Sequence, residues 1–122
     1  MHDARTAAVE PVIRQLRDAG MDPVWVDRAP VYDRTTLLHA LYQALHMPAW
    51  FGFNWDALAD MLFGGDDEDE TPRVLVFHDF ELLEARDPEA AATFLDIVES
   101  VASNPDSTLR GMVRSNEIRA QH

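Results

Sequence analysis

The chain has 122 residues, 47% hydrophobic and 26% charged, which suits one domain with its own core and is short for two. It contains no cysteine, so disulfides and thiolate metal or redox sites are excluded. Its formal net charge is −12, and the whole excess lies between Trp50 and Ser100, where 14 acidic residues meet 2 arginines while the remainder balances 8 against 8.

That distribution disfavours direct nucleic-acid binding, because neutralising phosphates takes clustered basic side chains. A concentrated negative field suits a cationic partner, although acidity also serves plain solubility. The opening Met1-His2-Asp3-Ala4-Arg5 runs into mixed polar and apolar residues rather than an unbroken apolar stretch. Neither a secretory signal nor a membrane span is expected, and a cytoplasmic location is the default.

Val9, Val12, Ile13 and Leu16 recur at helical spacing, predicting an amphipathic N-terminal helix from Ala4 to Ala19 that Gly20 closes. Pro11 falls inside it, so its regular part is expected to begin there. Val24-Trp25-Val26 reads as a short strand after Pro23. Asp33 is placed to cap a second helix whose buried stripe is Leu37, Leu38, Leu41 and Leu45, with Pro48 ending it. The loop Ala49-Trp50-Phe51-Gly52-Phe53 leads to Asn54, a cap for a third helix reaching about Phe63.

Gly64 to Pro72, with five consecutive acids at Asp66 to Glu70, reads as a solvated loop. Arg73-Val74-Leu75-Val76-Phe77 is a continuous apolar run, the pattern of a strand covered on both faces. Asp79 to Glu84 suggests a short helical turn. Asp87-Pro88 sets a capping carboxylate and a first-turn proline before a long helix with Ala91, Phe94, Leu95, Val98 and Val101 inward, stopped at Asn104-Pro105. Thr108 to Val113 is a weaker strand because Gly111 costs strand stability, and Ser115 to His122 is expected to be loosely held. Strand, helices, strand, helix, strand predicts an α/β fold, a small three-stranded parallel sheet with right-handed crossovers.

The third helix carries the most information. Trp55, Leu58 and Leu62, with Met61 beside them, are spaced to face the core, whereas Asp56 and Asp60 are four apart and share the opposite face. Asp56 lies in the first turn, where the helix dipole favours negative charge; Asp60 lies too far along for that benefit. Aromatic residues at Trp50, Phe51 and Phe53 approach this carboxylate face, an arrangement common at binding hot spots, with Trp50 the strongest candidate for contact.

The block from Leu38 to Leu62 resembles barstar, the intracellular inhibitor of the secreted ribonuclease barnase. Its most specific part is Pro48, a spacer, Trp50-Phe51-Gly52, then Asn54, Asp56, Leu58, Asp60 and Leu62. The resemblance covers roughly residues 23–114. It implies a barstar-like domain there, with residues 1–22 as an added N-terminal helix and 115–122 as a tail. It further implies that the acidic helix enters the active-site cleft of a basic ribonuclease, or a similar cationic toxin, with its carboxylates standing in for RNA phosphates. Asp60 would be the anchor, Asp56 its support, Trp50 and Phe51 the aromatic approach, and Asn54 the holder of the loop-to-helix junction. Glu99, outward on the long helix, would add a peripheral ion pair. The chain departs from the family at Trp55, Ala59, Gly65 and Ser103, which remodels the surface near the carboxylates. No cofactor is implied.

Two other readings use the same residues. A regulatory or scaffold protein could use the acidic face for another basic partner. An enzyme could bind Mg²⁺ through Asp56, Asp60 and Glu99 for phosphodiester hydrolysis. Against catalysis, the chain lacks lysine and cysteine, a phosphate-cradling glycine loop and zinc-ligand spacing, and His39, His46 and His78 are scattered.

Overall fold

The computed structural model describes residues 4–49, 52–63 and 71–115. In chain order the elements are α1 (Ala4–Asp18), β1 (Asp22–Trp25), α2 (Arg34–Ala44), α3 (Trp55–Phe63), β2 (Arg73–Phe77), α4 (Phe80–Arg86), α5 (Pro88–Ala102) and β3 (Leu109–Arg114). The three strands form one parallel sheet in the order β1-β2-β3, with β2 in the centre. Asp22 pairs with Arg73 and Trp25 with Val76 across the first ladder.

Both crossovers step the same way across the sheet, so crossovers of one hand put their helices on one face. Leu75 and Phe77 of β2, with Val26 and Leu109, accordingly share a core with Leu37, Leu38 and Leu41 of α2, Leu58 and Leu62 of α3, Leu83 of α4, and Phe94 and Val98 of α5. Alternate strand residues point the other way. There Trp25 and Val76 meet Val9 and Val12 of α1, with Ile13, Leu16 and Val113 packed alongside. The apolar run of β2 is thus covered on both faces, and α1 is the second cover.

The caps follow the sequence. The Asp33 carboxylate accepts from Thr36 N at 2.8 Å, and Thr36 Oγ1 takes the Asp33 N–H at 3.0 Å, a reciprocal box at the start of α2. Asp87 accepts from Ala90 N at 3.2 Å above Pro88. Gly111, at φ 141°, sits where β3 slips: Arg73 faces Leu109 but Val74 faces Gly111, leaving Arg110 as the extra residue of a bulge.

Three expectations are corrected. α1 is already helical before Pro11, which sits inside it. α2 ends at Ala44 rather than at Pro48, because His46 turns left-handed (φ 53°). Met47 N then bonds Tyr42 O at 3.0 Å and His46 N bonds Gln43 O at 3.4 Å, a Schellman closure built on histidine instead of glycine. Ser115, expected in a loose tail, is buried, with its Oγ 3.5 Å from His78 Nδ1; the tail beyond it lies outside the described residues. Among the described residues no helix is long and apolar enough to cross a membrane.

At the carboxyl end of β1, Asp27 is buried and accepts from Trp25 Nε1 (2.9 Å), His78 N (2.7 Å) and Asp79 N (2.8 Å). One carboxylate thereby ties the ends of β1 and β2 together and fixes the Trp25 indole.

Candidate functional site

α3 is held at both ends by polar contacts and along its length by the core. At its start, Asn54 Oδ1 accepts from Ala57 N at 2.8 Å while Asn54 O receives Leu58 N at 3.0 Å, which makes Asn54 the N-cap. Its amide nitrogen reaches back to Gly52 O at 3.4 Å. A β-carbon on Gly52 would lie 2.9 Å from that nitrogen, so the glycine leaves room for the cap.

Phe53, between them, has φ 51°, an uncommon conformation for a bulky side chain. Its ring lies 4.7 Å from that of His39 and 5.2 Å from that of Tyr42, both on α2. Stacking against α2 therefore holds the strained turn that aims α3. At the other end, the Arg73 guanidinium donates to Leu62 O at 2.7 Å and Met61 O at 3.5 Å, and its Nε donates to Thr108 Oγ1 at 3.2 Å. A cation on the last carbonyls of a helix complements its dipole.

Leu58 and Leu62 are fully buried and Met61 half-buried, which points the face bearing Asp56 and Asp60 to solvent. Both carboxylates are exposed, one turn apart, and among the described residues neither takes part in a hydrogen bond or ion pair. Two like charges so placed repel by a few tenths of a kcal/mol on an exposed helix. Their proximity stabilises neither, and among the described residues both remain available to an external cation.

Glu99 is exposed on α5, which packs beside α3, and no hydrogen bond or ion pair links it to the two aspartates. Trp50 and Phe51 lie outside the described residues. Trp55 is only half-buried. It lines a hollow of about 380 Å³ with Arg34, Asp87, Glu89, Ala90 and Thr93, so it is less a core residue than its spacing suggests. Among the described residues no group of three or more His, Asp or Glu side chains is gathered as a metal site.

Sequence reasoning missed the stack of Phe53 on His39 and Tyr42, and Arg73 as the anchor of α3. Neither left a local signal, since each depends on elements distant in the chain.

A family model described as barstar (barnase inhibitor) matches residues 21–113, well over half of the chain. The chain belongs to the barstar family. The match spans β1 through β3 and takes in the whole of α3, whereas α1 precedes it. The barstar family is defined by inhibition of a ribonuclease, which is binding rather than catalysis. No curated protein matches the chain significantly.

Proposed function

We propose that this barstar-family protein is a stoichiometric inhibitor of a basic ribonuclease, occupying the enzyme's active-site cleft with the exposed face of α3. The observation that carries the reading is the pair Asp56 and Asp60, exposed and unpaired among the described residues on a helix held at both ends. Carboxylates presented on a rigid element meet the guanidinium and imidazolium groups of a ribonuclease site as RNA phosphates do, and such charge-assisted bonds are strong once desolvated. Asp60 is the anchor and Asp56 the support. Trp50 and Phe51 pack on the enzyme at the loop, Asn54 keeps the junction in register, and Glu99 adds a peripheral ion pair.

The test is inhibition of RNA cleavage by a barnase-type nuclease titrated with the protein, expected to be complete near one equivalent. Asp60→Ala removes an acceptor that would be desolvated in the complex. It is expected to weaken inhibition at least about a hundredfold, as losing charge-assisted bonds worth ~1.5–3 kcal/mol each implies. Asp67→Ala, elsewhere in the acidic run, is expected to change it severalfold at most. Equal effects of the two substitutions would remove α3 as the site. Binding to another basic protein without inhibition of any ribonuclease would favour a regulatory or scaffold role for the same face.

A further inference from the structure

Away from α3, Arg14, Arg17 and Arg28 surround a hollow of about 330 Å³ whose walls are completed by Glu10, Ile13 and Trp25. Four of these six residues come from α1, which lies outside the family match; Trp25 and Arg28 lie within it. The hollow therefore exists only where α1 meets the edge of the sheet.

Arg14 and Arg17, three residues apart, share a helix face, and all three arginines are exposed. The guanidinium carbon of Arg28 sits 4.7 Å over the Trp25 ring, and that ring is fixed by its 2.9 Å bond to Asp27. One cation is thus held in place before any ligand arrives. Among the described residues none of the three arginines makes an ion pair, although the chain carries 22 acidic residues that could supply one. Glu10 lines the same hollow and is likewise unpaired among the described residues, so the lining nets two positive charges. Gathering mutually repelling cations in a strongly acidic protein is favourable once an anion joins them.

We propose that this hollow binds a small phosphorylated anion through a diphosphate group. The guanidinium fork matches phosphate oxygens two at a time, and several such forks around one compact space suit several oxygens on one ligand. The net charge of −12 repels a long polyanion along its length, whereas a small anion stays within the local positive field, about a Debye length across. Arg28 covers the Trp25 ring, so an aromatic base finds no open face there to stack on, and recognition rests on the phosphates.

The experiment is titration calorimetry of the full chain at low and at physiological ionic strength, with inorganic pyrophosphate and with ADP as probes. One saturable site is expected, weakened about tenfold by Arg14→Gln and by Arg28→Gln, as loss of a charge-assisted bond implies. Asp60→Ala should leave it unchanged, which separates this site from α3. Melting temperatures of the variants show whether each folds, and Arg17→Gln, on the exposed face of α1, serves if Arg28→Gln does not. Equal affinity for both probes assigns the site to the diphosphate alone, and tighter ADP binding assigns the source to a nucleotide. The proposal is overturned by absence of saturable binding to either probe, by affinity that survives Arg14→Gln with Arg28→Gln, or by an oligouridylate binding more tightly than pyrophosphate.

Discussion

A β-carbon at residue 52 would lie 2.9 Å from Nδ2 of Asn54, and the same asparagine supplies through Oδ1 the first acceptor of α3. Asn54→Ala removes that acceptor and is expected to cost about 1 kcal/mol. Asn54→Asp keeps it, because a carboxylate caps equally well, and should hold the urea midpoint near wild type. The cap of α2 gives a second prediction. Hydrogen bonds from the Thr36 backbone and then from its hydroxyl lower the pKa of Asp33 below the ordinary carboxylate value. The folded state therefore binds this proton less readily than the unfolded chain does. The contribution is complete above the unfolded value of ~4 and is lost as pH falls through the lower folded value. Urea unfolding from neutral pH into the acid range should show wild type losing its advantage over Asp33→Ala only in that acid window. Asn54, Asp33 and Asp87 were legible because a cap is a local matter of one side chain and the next turn. The left-handed His46 and Phe53 were not, because a non-glycine residue is held there by contacts made elsewhere.

Among whole elements, α3 has two kinds of support that differ in how well a linear reading can find them. Its buried stripe and its exposed aspartates follow from spacing alone. Its C-terminal anchor comes from Arg73, which in sequence is merely the first residue of an apolar strand. Parallel pairing with β3 brings Thr108 to that arginine, and the crossover brings the end of α3 over it. Arg73→Met keeps most of the apolar stem and leaves half-buried carbonyls without their donor, at an expected cost of ~1–3 kcal/mol. Arg73→Lys should recover only part of this, since one ammonium cannot reproduce the fork that reaches both α3 and Thr108. Because a loosened end of α3 no longer holds Asp60 in a fixed position, the proposed ribonuclease inhibition should fall with stability although neither aspartate is changed. Chemical denaturation paired with inhibition titrations checks both. The weak strand expected around Gly111 is a real strand of six residues, and its glycine marks the bulge rather than a break.

Over the whole molecule, topology decides what α1 is for. A 1-2-3 parallel sheet with both crossovers on one face leaves its other face bare, and β2 is apolar toward both sides. The sequence carried this in two separate signals, an amphipathic helix at one end and a doubly apolar strand in the middle. Nothing in linear spacing joined them, and the helix read as an appendage. Val9 and Val12 are buried against Trp25 and Val76, and the outward-facing groups of Arg14 and Arg17 are brought beside the sheet edge by the same packing. If α1 is integral, its loosening must be felt by the sheet. Val12→Ala removes two methyl groups from a closed interface and is expected to cost about 2 kcal/mol in the global transition. Helix content by far-UV circular dichroism and tryptophan fluorescence should then shift together to lower urea, as one cooperative unit demands. An appended helix would behave otherwise: circular dichroism would lose amplitude ahead of the main transition while the midpoint stayed put. Leu58→Ala, in the core on the opposite face of the sheet, supplies the comparison. It should lower the same single midpoint, through a loss of roughly 2–5 kcal/mol in unfolding free energy, showing that both faces of β2 report one folding equilibrium.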